Sequence, residues 1–249
     1  MMLRALLCIL LMARPLAAPA QDFEREKRWA DEIVPGLVVG DAVWLDGPGA
    51  RRKFLGLYTA VKDAKATLLL VHGVGVHPDH GVVGALRVRL ADAGYTTLSI
   101  QMPVQKADAG LNDYYPEVFA NAVERIGSAS RWLREQGAVR IVLVSHSMGS
   151  WMANVYYEET PAAPFAAWVC MGLTGGFGAM RNVRVPVLDV YGEYDLPSVV
   201  RADWRRRMTL NAIKGSSQIR IAGADHHYAG REKELVAAID AFFREQVLK

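Results

Sequence analysis

Four short stretches carry side chains that could do chemistry together. They are His72-Gly73-Val74-Gly75, His146-Ser147-Met148-Gly149, Glu193-Tyr194-Asp195 and Ala224-Asp225-His226-His227. Serine, histidine and a carboxylate are the parts of nucleophilic acyl chemistry. A serine hydroxyl is a weak nucleophile at neutral pH and needs a base within hydrogen-bond reach. An imidazole can take that proton and return it, and a carboxylate can orient the imidazole and stabilise its charged form. A lone S-x-S-x-G occurs often by chance, so Ser147 by itself would be weak evidence. His226 and His227 compete for the role of base, because adjacent residues point in different directions. Asp189, inside an apolar run, and Asp225, beside His226, are alternatives to Asp195 that read better as structural groups.

The elements around these stretches alternate between strand and helix. ATLLLVH (66–72) and VRIVLVS (139–145) are continuous apolar runs, as expected of strands covered on both faces. YTTLSIQM (95–102), FAAWVCMGL (165–173), VPVLDVYG (185–192) and SQIRIAG (217–223) read as further strands. Between them, helical spacing appears at 82–93, around Val118–Leu133, at 148–158 and at 198–213, where Val200, Trp204 and Met208 recur every fourth residue. Leu235, Val236, Ile239, Phe242 and Phe243 give a last helix a clean apolar face. LVVGDAVWL (37–45) and FLGLYTAV (54–61) read as an antiparallel pair joined by DGPGARRK. This alternation predicts an α/β fold with a mostly parallel sheet and helices on both faces. In such sheets reactive groups sit beyond the carboxyl ends of strands, and all four stretches fall there.

The order serine, acid, histidine, together with these motifs, resembles the α/β-hydrolase superfamily over residues 66–247. SHSMG is similar to the common GHSMG elbow, with Ser145 in place of the first glycine. Val71-His72-Gly73 resembles the oxyanion loop, YGEYD the acid loop and GADHH the histidine loop. HGVGVHPD, QMP, YGEYDLP and GADHH together resemble an exported bacterial group of this fold with no settled function. The resemblance implies Ser147 as nucleophile, Asp195 as acid and His226, after Gly-Ala-Asp, as base. It also implies backbone donors at Met148 and Val74 for the oxyanion. Gly149 suits a turn too tight for a side chain, and Ser145 is expected to fit at some steric cost. His72, Gly73, Gly75, His146, Tyr114, Tyr115 and His227 are candidates to line a substrate pocket, His72 more as support for its loop than as a catalyst.

The remaining features bound the answer. Residues 1–20 have a basic Arg4, an apolar run from Ala5 to Met12 and an A-P-A end, the pattern of a secretory signal peptide. Its loss would leave a net charge near +1, so no electrostatic case for nucleic acid exists. An eight-residue run is too short to span a membrane, which needs about 20 apolar residues. Residues 21–36 read as an arm over the domain, anchored by Trp29, Ile33 and Val34, with the domain itself at 37–249. Cys170 is left without a disulfide partner once Cys8 goes with the leader, and reads as a small buried apolar group. His77, Asp79 and His80 are a weak metal signal, and no metal or other cofactor is expected. Arg205-Arg206-Arg207 reads as a solvated face. Only about ten residues separate strands 165–173 and 185–192, too few for a helical cap. The expected function is carboxylic ester hydrolysis through an acyl-enzyme on a small-molecule acyl substrate. Thioester or amide cleavage, and a non-catalytic binding protein of this fold, remain as alternatives.

Overall fold

A computed structural model describes residues 21–47, 52–114, 118–178 and 182–248. The proposed signal peptide and Tyr115 lie outside these. Eight strands form one sheet: β1 (Asp41–Asp46), β2 (Lys53–Thr59), β3 (Thr67–Val71), β4 (Thr96–Ile100), β5 (Ile141–His146), β6 (Ala167–Met171), β7 (Val187–Tyr194) and β8 (Ser217–Asp225). Their order is β1-β2-β4-β3-β5-β6-β7-β8. β2 pairs antiparallel with both β1 and β4, and the pairs from β4 through β8 are parallel. The sheet is therefore the α/β type that the alternation of elements predicts, and its strand order is that of the α/β-hydrolase fold.

Strand residues alternate between two cores because the side-chain period of a strand is two. Leu69, Val71, Leu143, Trp168 and Cys170 face one core, which α3 (Phe119–Glu135) and α4 (Met148–Glu159) close. Leu68, Leu70, Val142, Val144, Val169 and Val190 face the other, which α2 (Gly81–Asp92) and α7 (Glu232–Gln246) close. All five residues of β3 and all six of β5 are buried, which is why these segments read as unbroken apolar runs. Full burial of each large aliphatic side chain is worth about 1.5–3 kcal/mol. Cys170 is buried and free, and burial pushes its thiol well above the ordinary value.

The arm is a helix, α1 (Phe23–Ile33), capped by the Asp22 carboxylate on the Arg25 N–H. Ile33 and Val34 pack with Ala30, Leu55 and Leu57 as expected. Polar ties also join the arm to the domain. Glu26 is buried and pairs with buried Arg125 of α3 at 2.7 Å, and it accepts the Val104 N–H. Among the described residues no helix is long and apolar enough to cross a membrane.

The segment 198–213 departs from its expected form. It is two pieces, α5 (Pro197–Val200) and α6 (Asp203–Leu210), and its buried stripe is Ala202, Arg206 and Leu210. Trp204 and Met208 are exposed. The middle arginine is the cause. Arg206 is 0% exposed, not solvated, because its Nε meets the buried Asp189 carboxylate at 2.8 Å. Its Nη1 also donates to the carbonyls of Leu173, Gly175 and Val199. A charge at full burial needs this many partners, and meeting them rotates the helix by two residues relative to the apolar pattern. Asp189 is thereby structural, as its place inside β7 suggests.

Candidate active site

The four chemical stretches meet at the carboxyl edge of the sheet. Ser147, Asp195 and His226 each follow directly on the last residue of β5, β7 and β8. Ser147 has φ 56 and ψ −122, a left-handed conformation that a side chain rarely adopts. Such a residue costs on the order of 1–3 kcal/mol and persists only where its surroundings hold it. Here its N–H donates to the Met171 carbonyl at 2.9 Å, and its carbonyl accepts from Ser150 and Trp151. The turn is as tight as its glycine implies. A Cβ on Gly149 would stand 2.4 Å from the His72 carbonyl oxygen and 2.8 Å from that of Val71.

Ser145 is not merely tolerated. Its buried Oγ accepts the Trp168 indole N–H at 2.9 Å, and lies 3.1 Å from Ser150 Oγ and 3.3 Å from the Val169 carbonyl. The expected steric cost is thus accompanied by a hydrogen-bonding role that the residue pattern did not reveal. Trp168 is too far along the chain for any local rule to pair it with Ser145.

His226 Nε2 lies 2.9 Å from Ser147 Oγ, and His226 Nδ1 lies 2.6 Å from Asp195 Oδ1. An ionised carboxylate can only accept, so Nδ1 carries the proton and Nε2 is free to accept the serine O–H. Asp195 also accepts the backbone N–H groups of Gly192 and Leu196. Burial works to raise its carboxyl, but the His226 hydrogen bond and charge and these two amides outweigh burial and hold it below the usual range. The imidazole has space only because Gly172, at φ +61, lacks a Cβ, which would fall 2.9 Å from His226 Cε1. His227 is exposed, and its backbone N–H closes a turn on Asp225 Oδ1. The geometry therefore brings His226 and not His227 to the serine, and Asp225 shapes the loop.

The other candidates serve the frame. His72 is buried. Its Nε2 accepts the Met102 N–H at 2.9 Å, so its proton is on Nδ1, 2.8 Å from the Gly73 carbonyl. Burial pushes its pKa down to about 3, so the ring is neutral. His146 Nε2 donates to the His226 carbonyl at 2.8 Å, and burial, with His226 beside it, lowers its pKa to about 4. Gly73 lets the backbone pass the elbow, since a Cβ there would stand 3.2 Å from Ser147 Cβ. Gly75, at φ +66, turns the loop. Tyr114 is buried in the core. Asp79 accepts a hydrogen bond from Arg87 Nε at 2.6 Å. Among the described residues no three histidine, cysteine or acidic side chains are grouped to hold a metal.

Beside Ser147 opens a cavity of about 550 Å³, walled by Val74, Leu111, Asn112, Phe119, Met148, Trp151, Thr174 and Leu196. His72, Gly73, Gly75, His146, Tyr114 and His227 are not among these walls. The first four lie behind the elbow and its loop as support, Tyr114 packs inward, and His227 turns to solvent. The actual walls come from segments far apart in sequence, and of these the motifs mark only Val74 and Met148. A roomier cleft along β1, β2 and α3, lined by Trp44, Lys53, Arg131 and Glu135, contains none of the chemical stretches. Met148 opens α4, so its N–H is among the first four helical amides, which have no intrahelical acceptor.

One residue at the site comes from the arm. Arg25 Nη2 donates to the Gly75 carbonyl at 3.1 Å and Nη1 to the Gln105 carbonyl at 2.9 Å. Its guanidinium lies 4.6 Å from the centroid of Trp29, whose ring meets His77. The arm thus fastens the loop that carries Val74. A charged residue in a polar segment gave no signal of this.

The sheet order is that of the α/β-hydrolase fold, and the comparisons agree. A dienelactone hydrolase from Anabaena variabilis superposes with a TM-score of 0.65 at 21% identity, over 82% of this chain and 98% of that one. Est1E from Butyrivibrio proteoclasticus, solved with ferulic acid bound, gives 0.66 at 16% identity, over 84% and 100%. A Xanthomonas campestris protein described as an α/β serine hydrolase without a lid gives 0.63 at 18% identity, over 83% and 94%. At these identities the likeness establishes the fold. Residues 12–123 match a family model described as a protein of unknown function (DUF3530). No curated protein matches the chain.

Proposed function

We propose that the protein is a serine hydrolase that cleaves carboxylic esters through an acyl-enzyme. The observation that carries this reading is the unbroken line from Asp195 through His226 to Ser147, at 2.6 and 2.9 Å. In the proposed reaction His226 Nε2 takes the Ser147 proton as Oγ attacks the ester carbonyl carbon. The N–H groups of Met148 and Val74 receive the resulting oxyanion, each such donor being worth roughly 10²–10³ in turnover. The C–O bond to the alcohol then breaks as His226 returns the proton to the leaving oxygen. A water, deprotonated by His226, repeats the sequence on the acyl-serine and releases the acid. Asp195 keeps the imidazole in the required tautomer and offsets its positive charge. Hydrolase names among the structural neighbours, and ferulic acid bound to one of them, are in keeping with a small acyl substrate. We also assign the leader to export, so the mature chain would begin at Gln21.

Labelling with a fluorophosphonate tests the reading. Wild type should label and Ser147→Ala should not. A folded wild-type protein that stays unlabelled would favour a binding role for this fold and end the hydrolase proposal. Parallel assays on matched ester, thioester and amide substrates would rank the three scissile bonds.

A further inference from the structure

Building on the serine hydrolase reading, we infer that the substrate is an uncharged ester with an apolar acyl body much larger than acetyl, seated against Trp151. Three observations carry this. The cavity of about 550 Å³ is of the size that holds drug-sized ligands, far more than an acetyl group needs. Its described walls include no Asp, Glu, Lys, Arg or His. The cation nearest in role, Arg25, is committed to the Gly75 and Gln105 carbonyls. A carboxylate drawn into this space would give up water and find no cation among the described walls, which costs free energy.

The third observation is how Trp151 is held. It lies one helical turn after Ser147, so the two share a face of α4. Its indole N–H donates to Thr174 Oγ1 at 2.7 Å, which fixes the ring between the elbow helix and the loop after β6. That loop is itself pinned by Arg206 through the Leu173 and Gly175 carbonyls. With its polar edge satisfied, the ring offers the cavity apolar surface only. Leu111 (63%), Leu196 (43%) and Trp151 (40%) stay exposed around the mouth. Exposed apolar groups that converge on a cavity mark a place where an apolar ligand enters.

The test uses the full mature protein and p-nitrophenyl esters. A fully buried methylene is worth roughly fourfold in kcat/KM, so octanoate should exceed acetate by at least about tenfold even with partial burial. The p-nitrophenyl monoester of suberic acid, of equal length but ending in a carboxylate, should fall at least about tenfold below octanoate. Trp151→Ala should lower the octanoate-to-acetate ratio several-fold, while Trp151→Phe should largely keep it. Fluorophosphonate labelling of the same preparations separates the two levels. Protein that labels at Ser147 but shows a flat chain-length profile, or prefers the suberate monoester, overturns this inference alone. Protein that is folded and does not label overturns it together with the hydrolase reading.

Discussion

Replacing Ser145 by glycine would restore the more common elbow sequence, and two arguments predict opposite results. If Ser145 only crowds a tight turn, Ser145→Gly should stabilise the protein. The hydrogen bonds say otherwise. Trp168 is 0% exposed, and its indole N–H has Ser145 Oγ as acceptor at 2.9 Å. Removing the hydroxyl leaves that donor buried without a partner, at a cost of about 1–3 kcal/mol. Glycine within a strand adds roughly 0.5–1 kcal/mol through backbone entropy. The expected loss is therefore about 1.5–4 kcal/mol. For a chain of this length that corresponds to a Tm lower by about 3–16 °C. Ser145→Ala keeps the Cβ and loses only the hydroxyl, so it should cost about 1–3 kcal/mol. Urea unfolding of the three proteins, read as the shift in midpoint at constant m, measures both differences. A glycine variant as stable as wild type, or more so, would refute the hydrogen-bonding account and restore the steric one.

Three further outcomes are expected. Asp195→Asn should lower kcat on p-nitrophenyl octanoate by about 10⁴ with the fold intact, because the amide no longer enforces the His226 tautomer; a loss under tenfold would point to another acid. Arg25→Met should reduce kcat by about tenfold with little change in KM, since it loosens the loop that aims the Val74 N–H and leaves the other cavity walls in place, and Arg25→Lys should recover part of the loss; an effect confined to KM would place Arg25 in binding instead. His72 and His146 are held neutral with pKa values of about 3 and about 4, below the ordinary 6.5. The unfolded chain therefore takes up protons first, so the stability they contribute is present above pH ~6.5 and is lost as pH falls toward 4 and 3. Between pH 7 and pH 5 the pair should cost on the order of 4 kcal/mol, and a urea midpoint unchanged over that interval would refute it. Asp195, held below the usual carboxylate range, adds its own loss only at more acid pH.

Much of the fold is legible in sequence because its signals are local. β3 and β5 are buried on both faces and so read as unbroken apolar runs. The stripes of α2, α3 and α7 repeat at the helical period because each helix lays one face on the sheet. Gly149 and the elbow are legible because the steric demand lies within one turn of Ser147. The order of the four stretches follows from chain direction, since each is the first loop after a parallel strand. Segment 198–213 shows where such reading ends. Its apolar period pointed to Val200, Trp204 and Met208, but the buried charge of Asp189 draws in Arg206 and rotates the helix.

The sequence by itself determined the parallel α/β sheet and the placement of Ser147, Asp195 and the two histidines at its carboxyl edge, through patterns of a few residues. Only tertiary structure decided between His226 and His227, because reach depends on where β8 ends beside Gly172. It alone decided that Ser145 binds Trp168, that Arg25 holds the Gly75 loop, and that Leu111, Phe119, Trp151 and Leu196 wall the cavity. These are contacts between segments 23 to 80 residues apart, or across different loops. Their partners are chosen by burial and hydrogen-bond satisfaction in three dimensions, and no period or motif along the chain encodes that choice.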